Sequence, residues 1–385
     1  MRQVKVLGVG LHKFGRFPEK SVEMLCHDAI SAALQDAGVS FKQVQASYVG
    51  VQQTNPVLSR RLIQHFGWTG IPITTVSQAC ASSSAAFREA YIAVAAGIYD
   101  LVLVVGYEKM GKGLLTAGNA DEARKRVLYA MGLDAIPARV AIEMQERMEK
   151  YQEPIDAIAQ VAVQASETAA LNPFAQYQER HSLQDVLNSA VVSSPLTLYM
   201  CCPTTDGASA AVIASADVAR RIGNTRTVTV AGWAAGSPPW QDLTSGPGEE
   251  IGGDVRGGLL TKRLAKAAYE MSGFGAKDIG VAQVHDPYAV AALVDIEALG
   301  FAPEGLGGRW FMEGKTRING KIPINTDGGL LCRGHPLGAT GIAQITEIVR
   351  QIRGEAGARQ VPKKPKTGLT HNSGAGLINI FTFKA

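Results

Sequence analysis

No stretch of this 385-residue chain is long and apolar enough to span a bilayer, so membrane insertion is not expected. Charge of one sign is also scarce. The formal net charge is only +4, and the basic residues are scattered apart from Arg124-Lys125-Arg126 and Lys363-Lys364-Pro365-Lys366. Neither run is long enough to read as a nucleic-acid footprint, and no nucleic-acid partner is expected. The five cysteines are an odd number without regular spacing, which argues against a disulfide framework and against a zinc site. A reducing cytoplasm is therefore the expected compartment. The first residues, Val4-Lys5-Val6-Leu7-Gly8-Val9-Gly10, read as a strand and turn and not as a charged leader with an apolar core.

What the chain does have is apolar bulk and turns. Hydrophobic residues make up 46%, charged residues 19%, and there are 42 glycines, a balance that fits a turn-rich globular protein long enough for two cores. Two of the small-residue turns carry reactive groups. In Val76-Ser77-Gln78-Ala79-Cys80-Ala81-Ser82-Ser83-Ser84 a thiol stands before a helical run, and in Gly334-His335-Pro336-Leu337-Gly338-Ala339-Thr340-Gly341 an imidazole does the same. A helix start carries unpaired N–H groups and partial positive charge, which is expected to lower the thiol pKa. The small residues after Cys80 leave room for an incoming acyl group. Together they supply a nucleophile and its base. Read alone, Cys80 fits an ordinary buried cysteine better, and a satisfied place in the core is the commoner fate of lone histidines such as His335 and His285.

Along the chain, strand-like runs alternate with helical patterns, as in parallel α/β proteins. Val22, Leu25, Ala29, Ile30 and Ala33 recur at helical spacing, and Gly38 stops that helix before the strand Ser47–Val51. Leu101-Val102-Leu103-Val104-Val105-Gly106 is apolar throughout and is expected to be covered on both faces. From about 107 to 198 the pattern turns polar and poor in strands, which reads as an insertion lying over the core. Strand character returns at 210–214 and 227–231. A weaker second copy of the pattern then runs through a helix at 263–269, the strand 281–284, a helix at 342–352 and a last strand at 376–381. Residues 1–220 and 221–385 are read as two similar halves with a cleft between them.

Six motifs give this pattern a family. They are Gly106-Tyr107-Glu108-Lys109-Met110, Cys201-Cys202-Pro203-Thr204-Thr205-Asp206-Gly207-Ala208, Val284-His285-Asp286-Pro287-Tyr288, Asn325-Thr326-Asp327-Gly328-Gly329-Leu330, the His335 turn, and His371-Asn372-Ser373-Gly374-Ala375-Gly376. With these the chain resembles the thiolases, and most closely the thiolase part of the sterol carrier protein 2 type. The resemblance implies a thiolase fold, with two pseudo-symmetric βαβαβαββ halves layered α-β-α-β-α and an inserted loop domain. It ends the chain after the final strand, without the lipid-binding domain fused in some relatives.

The resemblance also assigns roles. Cys80 matches the acyl-accepting nucleophile, His335 the histidine that activates it, and His285 the first residue of a His-Asp-Cys-Phe motif that completes an oxyanion site. His371 stands where other thiolases carry a second cysteine. Backbone N–H groups near Ser373 and at Cys80 are expected to form another oxyanion hole. Ser373, Gly374 and Gly338 are expected beside the coenzyme A thioester, and Arg124 and Arg126 near its phosphates, although a solvated charged face explains the arginines equally well. Cys201 and Cys202 are read as packing residues and Asp206 as a brace. No metal or resident cofactor is implied; coenzyme A enters as a substrate. By the same analogy the chain pairs through the edge strand of its first half as a homodimer or homotetramer, with a small accessory subunit as a further option.

One position departs from the family. The cysteine of His-Asp-Cys-Phe, which exchanges a proton with the second substrate's carbon, is replaced by Pro287, which has no proton to move. His371, Tyr288 and Cys332 are the candidates for its task. The implied activity is acyl transfer from acyl-CoA, as thiolytic cleavage of a fatty or steroid-side-chain 3-oxoacyl-CoA or its reverse. A partner-dependent retro-aldol lyase and a noncatalytic acyl-CoA or lipid carrier remain the alternatives.

Overall fold

The computed structural model describes residues 1–67, 69–111, 126, 129–132, 135–238 and 258–385. The first strand, β1 (Val4–Leu11), leads into α1 (Val22–Ala37). The Ser21 hydroxyl caps α1 by accepting from the Met24 N–H, and Gly38 closes it in the left-handed region at φ 69°. The residues that recur at helical spacing are the ones α1 buries. Then come β2 (Ala46–Gly50), α2 (Ser59–Gln64), β3 (Ile73–Val76), α3 (Ser82–Ala95) and β4 (Leu101–Glu108). All eight residues of β4 are buried, as an apolar run covered on both faces must be. Helices α4 (Ile136–Tyr151), α5 (Ile155–Ala169) and α6 (Leu183–Leu187) and the short strands β5 (Val191–Ser193) and β6 (Leu196–Thr197) precede β7 (Gly207–Ser215) and α7 (Ala216–Ile222). The remaining elements are β8 (Val228–Gly236), α8 (Gly258–Ser272), β9 (Ala282–Gln283), α9 (Ala289–Ala298), α10 (Gly307–Met312), α11 (Thr340–Arg353), β10 (Thr367–Gly374) and β11 (Leu377–Lys384).

Nine strands join in the order β3-β2-β4-β7-β1-β8-β11-β10-β9. The two half-sheets meet at β1 and β8 through only two residue pairs, Lys5 with Thr229 and Val6 with Val228. Helices α1 and α7 cover the outer face of the first half-sheet. The inner faces of both half-sheets close on α3 and α11, where Phe87 and Val94 meet Ile345 and Ile348 against Val102, Ile213, Phe381 and Phe383. Helices α5, α8 and α9 cover the outer face of the second half-sheet. The expected α-β-α-β-α layering is thus present, with α3 and α11 as its middle layer.

Two details differ from the reading of the sequence. The sheet is mixed: β2 runs parallel to β3 and β4, and β9 to β10, while the other neighbours are antiparallel. At β10 and β11 the cause is local, because both residues of the Ala375-Gly376 turn have positive φ and close a two-residue hairpin. The segment read as a polar cover also supplies core, since α5 is buried along most of its length and packs on α9 and α10. Among the described residues no helix is long and apolar enough to cross a membrane.

Candidate active site

Cys80 sits between the end of β3 and the first turn of α3. The preceding residue, Ala79, has φ 48°, a conformation L residues rarely adopt, so its neighbours must hold it there. The Gln52 Oε1 accepts from the Ala79 N–H at 2.9 Å and from the Ser77 hydroxyl at 2.6 Å. The Ser82 hydroxyl accepts from the Gln78 N–H and donates to the Ala79 carbonyl. Gly374, at the end of β10, lies against this loop. A Cβ there would stand 2.5 Å from the Gln78 carbonyl oxygen and 2.7 Å from the Cys80 nitrogen, so only glycine fits.

The thiol sulfur of Cys80 and an imidazole nitrogen each from His285 and His335 lie within 4.8 Å of one another. The hydrogen-bond network assigns the two imidazoles opposite tautomers. The Thr340 hydroxyl donates its proton to the Pro336 carbonyl, so toward His335 Nδ1, 2.8 Å away, it accepts. His335 therefore carries its proton on Nδ1 and a lone pair on Nε2, and that Nε2 is buried without a hydrogen-bond partner. At His285 the order is reversed. The Asn372 amide nitrogen donates to Nδ1 at 3.0 Å, leaving the proton on Nε2. One ring is built to accept a proton, the other to donate a hydrogen bond.

The electrostatics reverse one expectation from the sequence. Burial pushes the Cys80 thiol up from 9.0 to about 12; its own amide opposes the rise and the Glu108 carboxylate adds to it. The helix start does not outweigh this loss of hydration. Burial also drops His335 from 6.5 to about 3, helped by the neighbouring Arg333 guanidinium. The resting pair is a thiol and a neutral imidazole.

Buried groups fix the His335 turn. The Thr205 hydroxyl accepts from the His335 N–H at 3.0 Å. The carboxylate of Glu108 accepts from the N–H groups of Gln52, Gln53, Thr54 and Gly338, so it ties loops of both halves together. Arg333, on the π-helical turn Gly329–Arg333, is fully buried and paired with Asp327 at 2.5 Å. The Asp206 carboxylate accepts from the N–H groups of Phe17 and Met110, bracing its turn as expected. Thr340, Thr205, Asn372 and Glu108 were not singled out from the sequence. All four lie inside quoted motifs, but their roles depend on which way each side chain faces.

Other expected site residues fall elsewhere. His371 is not part of the cluster. Neighbouring residues on a strand face opposite ways, and Asn372 takes the side facing Cys80. The His371 ring points into the outer layer, with Nδ1 3.2 Å from Asp295 Oδ2 and Nε2 3.1 Å from Thr261 Oγ1. Gly338 packs between the halves, where a Cβ would meet the Tyr107 carbonyl oxygen at 2.1 Å, so it leaves no space for a ligand. Cys332 and Tyr288 belong to the core of the second half. Ser373 is half-buried beside Gly374. Arg126 is exposed, and Arg124 lies outside the described residues.

Comparison with known proteins follows the same geometry. The thiolase N-terminal domain family matches residues 7–180, and the thiolase C-terminal domain-like family matches residues 259–383. An acetyl-CoA acetyltransferase of Methanothermobacter thermautotrophicus is 36% identical, over 99% of this chain and 100% of its own length. Human sterol carrier protein 2 is 37% identical, over 99% of this chain and 72% of its own length. Among solved structures, an Ltp2-ChsH2(DUF35) aldolase superposes with a TM-score of 0.85 at 27% identity, covering 100% of this chain and 98% of that one. Matched by thiolase domain families over residues 7–180 and 259–383, and more than a third identical over 99% of its length to the acetyltransferase and to sterol carrier protein 2, the chain belongs to the thiolase family.

Proposed function

We propose that this thiolase-family acyltransferase works through a covalent acyl group on Cys80, with coenzyme A thioesters as its substrates. The observation that carries the reading is the pairing of opposite tautomers around one thiol. Because the resting pair is neutral, His335 Nε2 takes the thiol proton as the sulfur attacks the carbonyl carbon, acting as a general base and not as half of a standing ion pair. His285 Nε2–H then donates to the oxygen that gains charge, with the Cys80 backbone N–H as a second donor. The reaction is thiolytic cleavage of a 3-oxoacyl-CoA, or its reverse. Ser373 and Gly374 border the path of the thioester, and Arg126 and Arg124 are the proposed contacts for its phosphates.

Intact-protein mass after mixing with acetyl-CoA and longer acyl-CoAs tests the nucleophile. An added acyl mass that is absent in Cys80→Ala is the expected result. Binding without any adduct would instead make the chain a carrier. A second reading, retro-aldol cleavage with an accessory subunit, draws on the likeness to the Ltp2-ChsH2(DUF35) aldolase and on the proline at 287. Release of a free ketone or aldehyde, in place of a new thioester, would favour it.

A further inference from the structure

We propose that Cys202 is the residue that exchanges a proton with the substrate carbon. The inference rests on the Cys80 reading above. Breaking the bond between C2 and C3 of a 3-oxoacyl thioester leaves an electron pair on C2 that must receive a proton. His335 is occupied with the Cys80 proton, and His285 donates to an oxygen. A third proton-bearing group is therefore required, close to Cys80 but distinct from both rings.

Position 287 cannot supply it, and the groups first considered in its place are buried. His371 points to the outer layer, and Cys332 and Tyr288 pack in the core of the second half. The segment that runs beside residue 287 carries a thiol of its own. The Cys202 N–H donates to the Pro287 carbonyl at 2.8 Å, and Cys201 forms an antiparallel bridge with Tyr288. Three residues on, Thr205 holds the His335 N–H. Residues 201–205 thus stretch from the His285 segment to the His335 turn.

The two neighbouring thiols have separate surroundings. Cys201 Sγ donates to the Thr197 carbonyl at 3.4 Å. Cys202, the next residue along, pairs through its backbone with Pro287, the position where the family carries its acid/base thiol. The residue is half-buried. Burial, followed by the nearby Cys80, raises its pKa well above the ordinary value, which keeps it a protonated acid.

The step balances as follows. The Cys80 sulfur bonds to C3 while its proton passes to His335, and the carbonyl pair moves onto oxygen. As the carbonyl re-forms, the C2–C3 pair moves to C2, which takes the Cys202 proton, and the S–H pair stays on Cys202 as thiolate. Coenzyme A then gives its thiol proton to Cys202 as its sulfur attacks the acyl carbon. Cys80 leaves and recovers its proton from His335.

The test uses acetyl-CoA for acylation of Cys80, read by mass, and acetoacetyl-CoA with coenzyme A for carbon–carbon cleavage. Cys202→Ala is expected to keep acylation and to lose cleavage by roughly 100-fold or more, together with deuterium exchange at the acetyl-CoA methyl in heavy water. Cys201→Ala is expected to keep all three. Cleavage at the wild-type rate in Cys202→Ala overturns the proposal and leaves the Cys80 reading standing. Absence of the adduct in the wild-type protein removes the Cys80 reading itself. Should Cys202→Ala also lose acylation, Cys202→Ser decides. Acylation kept with cleavage lost supports the role, whereas loss of both assigns Cys202 to packing and overturns it.

Discussion

Two side chains at the cleft, Cys80 and His335, are held neutral although each would carry or share charge more readily in water. For Cys80 this predicts slow alkylation at neutral pH. The rate constant for iodoacetamide should keep climbing above pH 9 toward about 12. A plateau from acid to neutral pH would reveal a standing thiolate–imidazolium pair instead. For His335 the consequence is for stability. Between pH 6.5 and about 3 the unfolded imidazole binds a proton that the folded one refuses, so stability falls as pH drops through that window. The loss attributable to this residue is on the order of a few kcal/mol. Urea unfolding at pH 7 and pH 4.5 should show a smaller drop for His335→Asn than for the wild type. Cys80 and His335 stand out in the sequence at their turns, and His285 through the resemblance of its motif to the family. The tautomers were not, because they depend on Thr340 and Asn372 arriving from other segments. The His371-Asn372 pair shows the same limit. A strand offers one of two neighbours to the cleft, and without β10 identified as a strand the wrong neighbour was chosen.

At the level of elements, the β10–β11 hairpin presses its end against the nucleophile loop with no side chain between. Gly374→Ala is therefore expected to displace Cys80 while leaving the core of α3 and α11 packed. The predicted result is a fall in acylation rate of about 100-fold with little change in melting temperature. A large drop in melting temperature with normal acylation per folded molecule would contradict it. Helix α1 was legible because cap, period and stop agree. Helix α5 was not, because its buried positions mix Ile158, Val161 and Val163 with five alanines and with the polar Gln164, Ser166 and Thr168, so no clear core face stands out. The order of strands was equally hidden, since pairing depends on turns such as Ala375-Gly376 and on segments far apart in sequence.

For the molecule as a whole, β3 ends the sheet with one side unpaired among the described residues, and its Thr74 and Thr75 are exposed. A second copy adding to this edge would complete the ladder, the ordinary fate of an open edge. Light scattering is predicted to give twice 40.7 kDa, and Thr75→Lys to shift the mass toward that of one chain. A single-chain mass for the wild type would remove this edge as the assembly surface. The repeat of strand and helix pattern was visible in the sequence, whereas the narrow join at β1 and β8 was not.

The halves also touch where side chains are missing. A Cβ on Gly106 would strike the Gly338 carbonyl, and one on Gly341 would strike the Ser84 nitrogen. Sulfur and nitrogen are thus spaced by glycines packed against main chain and the short serine side chains beside it, a joint with little padding to compress. Any methyl group inserted there works as a shim. Its thickness is expected to widen the gap between Cys80 and His335, so the chemistry of this protein is gauged by atoms it does without.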